Sequence, residues 1–225
     1  MFGETNGILI CGGFSKRMGE FKPLMQYEGL PFALNILFKM SRVCNKLIVV
    51  TGHQGGLIKE KLNELLNDKE TLANESDIEL NSVMIDHLKN KLEFVENTLY
   101  EDGMFTSFQA GLRTVSDSEW VLYHFVDQPT LPRSFYDEFI SLTYNDVDWI
   151  QPKYEGVKGH PILINRSLFN QILESDKKTN LREVIRDFVV MKRYYESPFP
   201  QALDDIDTIS DYNRIMKIDL EVESN

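Results

Sequence analysis

The sequence predicts an α/β fold, a mainly parallel mixed sheet covered by helices on both faces in three layers. Two observations carry this expectation. Short apolar runs recur without polar alternation, and stretches of helical spacing separate them. Strands apolar on both sides need cover on both faces, which is the pattern of a largely parallel sheet built from strand–helix units.

Taken in order, residues 7–11 form the first strand. Phe32, Ala33, Ile36, Leu37, Met40 and Val43 share one face of a helix over 32–43. "KLIVVTG" (46–52) is a second buried strand, and Leu57, Ile58, Leu62, Leu65 and Leu66 mark an amphipathic helix. Residues 67–91 are polar and hold no clear strand; they read as a partly helical excursion. "LEFVEN" (92–97) is a third strand, and 104–115 a helix carrying Met104, Phe105, Phe108, Leu112 and Val115. "WVLYHFVD" (120–127) is a continuous apolar run ending in an acid. Beyond 147 the rhythm changes. "DWIQPKYEGVKGHPILIN" predicts two strands around a glycine-containing connection, followed by short helices near 166–174 and 180–188. "FVVMKRYYE" predicts another strand, and "DDIDTISDYNRIMK" a turn into a final helix. No linker rich in Ser, Gly or Pro divides the 225 residues, so one domain is expected.

Composition narrows the partners. Lys and Arg number 24 against 35 Asp and Glu, a net charge of −11. That field repels nucleic-acid backbones and anionic bilayers, so neither nucleic acid nor membrane is an expected partner. No apolar run reaches the length of about 18 residues that a spanning helix needs. "MFGETNG" has no basic region followed by an apolar one, so a cytoplasmic protein is expected, with Cys11 and Cys44 as reduced core residues.

An anion site must be a local exception to the acidic field, and "ILICGGFSKRMGEFKPL" (8–24) is the candidate. Ligands in open parallel sheets sit beyond the carboxyl ends of strands. Gly12 and Gly13 lack a Cβ, so the backbone can turn tightly there and its N–H groups can cradle phosphate oxygens. Lys16, Arg17 and Lys22 add positive charge, and a guanidinium can bind bidentately. A glycine turn with solvated lysines is the plainer alternative. The stretch is neither G-x-x-x-x-G-K-[ST] nor G-x-G-x-x-G, which excludes the nucleoside triphosphatase loop and a nicotinamide or flavin site.

Further candidates lie down the chain. Asp127 closes a buried strand where substrate phosphates would arrive, and a carboxylate there can hold Mg²⁺, which takes carboxylates together with phosphate oxygens and water. Capping a helix is its alternative. Gly103 and Ser107 lie near the start of a helix, whose dipole favours anions, although Ser107 also suits an ordinary helix position. Asn97 fits a base or ribose contact, or turn formation. His160, between Gly159 and Pro161, fits a ligand's phosphate or a structural role. His53, His87 and His124 carry only structural expectations and show no zinc-ligand spacing with the cysteines.

The stretch 8–24 resembles the pattern G-x-S-x-R-M-G-x-x-K, the signature loop of the molybdenum-cofactor nucleotidyltransferases. Gly13, Ser15, Arg17, Met18, Gly19 and Lys22 match. "NTLYEDGMFTSFQAGL" (97–112), "VLYHFVDQPTLP", "YEGVKGHPILI" and "DIDTISDY" resemble four further segments of that family, in order. The resemblance implies a three-layer Rossmann-like nucleotidyltransferase fold with a nucleotide-binding half (1–130) and an acceptor-binding and C-terminal half (131–225). It implies transfer of a nucleoside monophosphate from a triphosphate, CTP by the downstream segments, to the terminal phosphate of a molybdopterin-type acceptor. Arg17, Lys22 and Asp127 would be catalytic. Cys11, Gly12, Gly13, Ser15, Lys16, Gly19, Asn97, Gly103, Ser107 and His160 would bind the substrates, and Asp127 with Asp207 would hold Mg²⁺. Asp205 competes for the role of Asp207, and capping the final helix is an alternative for Asp207. Gly12 stands where the cytidylyl group has alanine and the guanylyl group glycine, so GMP transfer is an alternative, as is cytidylyl transfer to a sugar or polyol phosphate. A non-catalytic nucleotide-binding partner of a molybdoenzyme is a third reading. The resemblance also admits a molybdoenzyme or its chaperone as protein partner.

Overall fold

A computed structural model describes residues 4–13, 21–143 and 146–222. The chain runs β1 (Thr5–Ile10), β2 (Gln26–Tyr27), β3 (Leu30–Pro31), α1 (Phe32–Ser41), β4 (Leu47–Thr51), α2 (Gly55–Asn67), α3 (Lys69–Glu75), α4 (Ser82–Lys91), β5 (Leu92–Glu96) and α5 (Met104–Thr114). It continues with β6 (Trp120–Phe125), α6 (Arg133–Ile140), β7 (Trp149–Tyr154), β8 (Val157–Lys158), β9 (Ile162–Asn165), α7 (Phe169–Glu174), α8 (Leu181–Asp187), β10 (Lys192–Glu196) and α9 (Ile209–Val222).

One sheet takes the order β10-β7-β9-β6-β1-β4-β5, with β8 paired to β7. β1 is parallel to β4 and β6, β4 to β5, and β10 to β7, whereas β9 runs against both of its neighbours. The mainly parallel mixed sheet expected from the sequence is therefore present. All six residues of β1 are buried, because helices cover both of its faces. On one face α1, α4 and α6 pack Phe32, Ile36, Leu88, Phe135 and Phe139 against Leu9, Val49 and Leu122. On the other, α5, α7 and α8 pack Phe108, Leu112, Ile172 and Val184 against Ile8, Val50 and Val121. Burying each large apolar side chain contributes about 1.5–3 kcal/mol, so these two layers hold the sheet between them.

Registers align the carboxyl ends of the parallel strands. Ile10 lies beside both Val50 and Phe125, and Val50 beside Val95. The residues that follow, 11–13, 52–54, 97 and 126–128, consequently share one edge. The antiparallel β9 adds its beginning to the same edge, since Ile162 lies beside Tyr123.

The excursion 67–91 resolves into α3 and α4, with Leu72, Ile85 and Leu88 buried. The Asp68 and Asn81 side chains accept from Thr71 N–H and Met84 N–H and so cap their starts. Lys91 donates to the carbonyls of Ser41 and Cys44 at 2.7 Å, supplying partners and positive charge to the end of α1. The short hairpin β2–β3 and helix α6 carry too few residues for a period to emerge from the sequence. Among the described residues no helix is long and apolar enough to cross a membrane.

Candidate active site

The common edge brings distant residues together. β6 ends at Phe125, and Asp127 follows in the loop toward α6. The segment after residue 203 returns to this loop: Ile206 N–H donates to the Asp127 carbonyl at 3.0 Å, Gln128 Nε2 to Asp205 Oδ1 at 3.0 Å, and Thr130 Oγ1 to Asp204 Oδ2 at 2.9 Å. Pro23 opens a 3₁₀ turn over Lys22–Leu24 and sends the Lys22 side chain into the same place. Its Nζ donates to Asp207 Oδ1 at 2.6 Å and lies 3.9 Å from Asp127 Oδ2.

The electrostatics of this cluster follow from burial. The Asp127 carboxyl is pushed up to about 6, first by desolvation and then by Asp205 and Asp207, with Lys22 opposing them. Asp205 is raised for the same reasons. Asp127 Oδ1 is buried without a hydrogen-bond partner. Three carboxylates against one lysine leave negative charge uncompensated among these four groups, and the orphaned oxygen faces no donor. An unpartnered buried carboxylate oxygen among acidic neighbours suits a divalent cation. Among the described residues no three His, Cys, Asp or Glu side chains form a ready-made metal cage. Mg²⁺ accepts such a site, because it keeps waters and takes phosphate oxygens alongside one or two carboxylates.

Asp207 is not the cap of the last helix. Thr208 and Asp211 form a reciprocal capping box, with Asp211 N–H donating to Thr208 Oγ1 at 3.2 Å and Thr208 N–H to Asp211 Oδ2 at 2.9 Å. The Asp207 side chain is thus turned to Lys22 instead.

Cys11 N–H continues the sheet by donating to Val50 O, and the thiol is buried, its pKa raised by desolvation and by Asp127. Gly12 packs against the Gly52 backbone and Ser107 Oγ, whereas nothing lies within 4 Å of a side chain built on the exposed Gly13. Asn97 is turned into the scaffold: its Nδ2 donates to Thr106 Oγ1 and Ser107 Oγ at 2.9 Å, and its Oδ1 accepts from Leu99 N–H. This is the turn-forming alternative, and it fixes the start of α5 beneath Gly12. Gly103 precedes α5 at φ +111°, a backbone conformation that excludes most side chains. His160 stacks edge-on against Phe125, is lowered to about 4 by burial and then by Arg182, and has no partner on Nδ1. Ser15, Lys16, Arg17 and Gly19 lie outside the described residues.

One contributor left no clear sequence signal. Lys39 is buried in α1, donates to the Pro129 carbonyl at 2.7 Å and pairs with Glu28 at 3.5 Å. Glu28 also accepts from Asn35 Nδ2 at 2.7 Å and is held at φ +52° beside the excursion, where Asp77 N–H donates to its carbonyl. A lysine within a helix buried on every side is the signal that could have found it.

A mainly parallel sheet with helices on both faces, whose carboxyl edge gathers a lysine and acidic side chains beside a glycine turn, is an arrangement suited to α/β enzymes that handle phosphates. The chain belongs to the MobA-like NTP transferase domain family, which it matches over residues 7–194, and it is a nucleotidyltransferase of that family. It is 28% identical over 207 residues to the molybdenum cofactor cytidylyltransferase of Escherichia coli (strain K12), spanning 91% of this chain and 92% of the relative. A nucleotidyl transferase from Methanothermobacter superposes with a TM-score of 0.72 at 18% identity, covering 97% of this chain and 99% of the other. A Mycobacterium tuberculosis H37Rv protein in complex with manganese superposes with a TM-score of 0.64 at 15% identity, covering 95% and 98%.

Proposed function

We propose that the protein transfers CMP from CTP to the terminal phosphate of a molybdopterin-type acceptor, releasing pyrophosphate. The observation that carries this reading is Lys22 Nζ braced between Asp207 and Asp127 at the carboxyl edge of the sheet. The cytidylyl assignment is supported by the 28% identical relative and by the segments at 97–112 and 154–164.

An oxygen of the acceptor phosphate forms the new bond to the α-phosphorus, and the bond from that phosphorus to the bridging oxygen of pyrophosphate breaks. The acceptor phosphate is already ionised near neutral pH, so no side chain has to remove a proton. Such a reaction requires positioning and charge neutralisation rather than a protein nucleophile. Lys22 presents a fixed cation to the phosphates, and the backbone at Gly12 and Gly13 lines their approach. Asp127 and Asp207 would hold Mg²⁺, which supplies charge neutralisation at the phosphate oxygens. Arg17 is proposed to add a second cation from the same loop.

The reading is tested by pyrophosphate release with molybdopterin and Mg²⁺, offering CTP, GTP, ATP and UTP in turn beside Asp127→Ala. Turnover with CTP alone, lost in the variant, is expected. A preference for GTP would overturn the base assignment, and turnover only with a sugar or polyol phosphate would overturn the acceptor.

A further inference from the structure

A second group of charges stands on the same edge, apart from the carboxylates. Lys153 of β7 and Lys158 of β8 lie directly opposite one another across the turn at Glu155 and Gly156. Like charges so placed destabilise an antiparallel pair. Here both ammonium groups cover one aromatic ring, 4.1 and 4.9 Å from the centroid of Tyr194 in β10. The nearby Lys158 ammonium also holds the Tyr194 phenol below its ordinary range. Glu196 is the register neighbour of Lys153 in β10, and exposed Glu155 occupies the turn. Neither lysine forms an ion pair with them or with any other carboxylate among the described residues. In a chain of net charge −11, two lysines held together without an acid are a positive spot in a negative field.

The spot lies within a small molecule's length of the site. Tyr195 packs on Phe135 and Phe139, so Tyr194 takes the opposite sheet face, shared with Trp149 and Phe125. Ile162 lies beside Tyr123 in β6, and Leu163 beside Ile150 in β7. Lys153 is therefore level with Phe125 but two strands away, about 10 Å at the usual strand spacing. His160, whose Nδ1 is unpartnered, occupies the interval against Phe125.

We propose that Lys153, Lys158 and Tyr194 form an anion subsite for a second negative group of the acceptor, about 10 Å from the end of β6 where its phosphate reacts. The proposal rests on the nucleotidyl-transfer reading above and adds to it what the enzyme recognises. The group is an oxyanion or a thiolate, either of which two ammonium donors and a phenol O–H can bind. An acceptor whose only charge is its phosphate cannot use it, so the subsite separates a molybdopterin-type acceptor from a simple sugar or polyol phosphate.

The experiment uses the full chain and the double variant Lys153→Gln/Lys158→Gln. Inorganic phosphate is titrated while the Tyr194 ring resonances, assigned with Tyr194→Phe, are followed by NMR. A saturable shift in the parent that is absent from the variant is expected. In turnover, KM for molybdopterin is expected to rise roughly 10–100-fold, the loss of one or two charge-assisted hydrogen bonds, with kcat changed far less and CTP affinity unchanged. No phosphate-dependent shift at Tyr194, an unaltered KM in the variant, or a parallel loss of CTP affinity would each overturn the subsite. A parent that shows the phosphate shift yet does not turn over molybdopterin overturns the acceptor assignment and leaves the subsite standing.

Discussion

Lys22 and Asp207, 185 positions apart, meet at 2.6 Å, and the same ammonium group lies 3.9 Å from Asp127. A single cation thus ties the loop after β1, the loop after β6 and the segment before α9 into one wall. The capping box at Thr208 and Asp211 leaves Asp207 available for this contact.

Replacing that cation with a neutral side chain removes a fixed charge from the phosphates. Lys22→Gln is expected to lower kcat by ~10²–10³, the usual effect of deleting one electrostatic contact to a transition state. Steady-state pyrophosphate release measures it; a loss under tenfold would remove Lys22 from the chemistry.

Asp127 gives a pH signature in metal-free buffer. Its carboxyl, raised to about 6 by burial, binds a proton more readily in the folded chain than in the unfolded one. Its contribution to stability is present at low pH and lost as pH rises through 6. Asp127→Asn lacks that loss, so the variant should melt above the parent at pH 7.5, by on the order of 2 kcal/mol. The gap should shrink by more than half at pH 4.5 and close below the ordinary carboxylate value of 3.8. Melting curves with EDTA at the two pH values decide, and a gap independent of pH would contradict the assignment.

The buried histidines act in the opposite direction. His124, hydrogen-bonded to the Phe125 carbonyl and Tyr136, is lowered to about 3, and His160 to about 4. Both stay neutral in the folded chain while the unfolded chain protonates near 6.5, so their stabilisation is present above that value and fades toward 4 and below. His160→Gln is expected to flatten the acid limb of a stability–pH curve by up to one proton, about 1.4 kcal/mol per pH unit. An unchanged slope would show that His160 titrates as an exposed residue.

Lys39 should act at a distance. Lys39→Met leaves the Pro129 carbonyl without its donor, and the stability loss should be about 1–3 kcal/mol. Adding Glu28→Gln should recover part of the melting temperature but not kcat, because the loop carrying Asp127 stays untethered. Equal recovery of both would reduce Lys39 to a packing role.

Gly159→Ala places a Cβ 2.1 Å from the Ala202 carbonyl oxygen, which is backbone and must move. Overpacking of this kind costs about 1–3 kcal/mol. The displaced segment carries the chain toward Asp205 and Asp207, so acceptor KM should rise with the loss of stability. Equal kinetics in the variant would show that the edge tolerates the shift.

The buried strands β1, β4 and β6, the edge strand β5 and the helices α1, α2 and α5 were legible in the sequence because their apolar runs and helical spacing are long enough to declare themselves. The positions of Asp127 and Gly12 just beyond strand ends were legible from topology alone. Asp207 was legible only through resemblance, since residues before a helix look alike whether they cap it or not. Asn97 illustrates the opposite limit: a carboxamide at a strand end has one sequence appearance and two possible directions, and here it faces inward. Lys39 and the β2–β3 hairpin were illegible because their meaning lies in partners about ninety and forty-nine residues away, Pro129 and Asp77. The excursion 67–91 gave no period of its own, because two short helices with three buried residues between them leave little pattern.

The reversed strand β9 divides the labour of the edge. Because it runs against its neighbours, the loop before it opens onto the site and the loop after it faces away. Residues 155–158, which are at most half-buried, can therefore vary without disturbing the strands that carry Gly12 and Asp127. On the proposed reading, a new acceptor could be admitted by rewriting one short hairpin while the triphosphate end stays fixed.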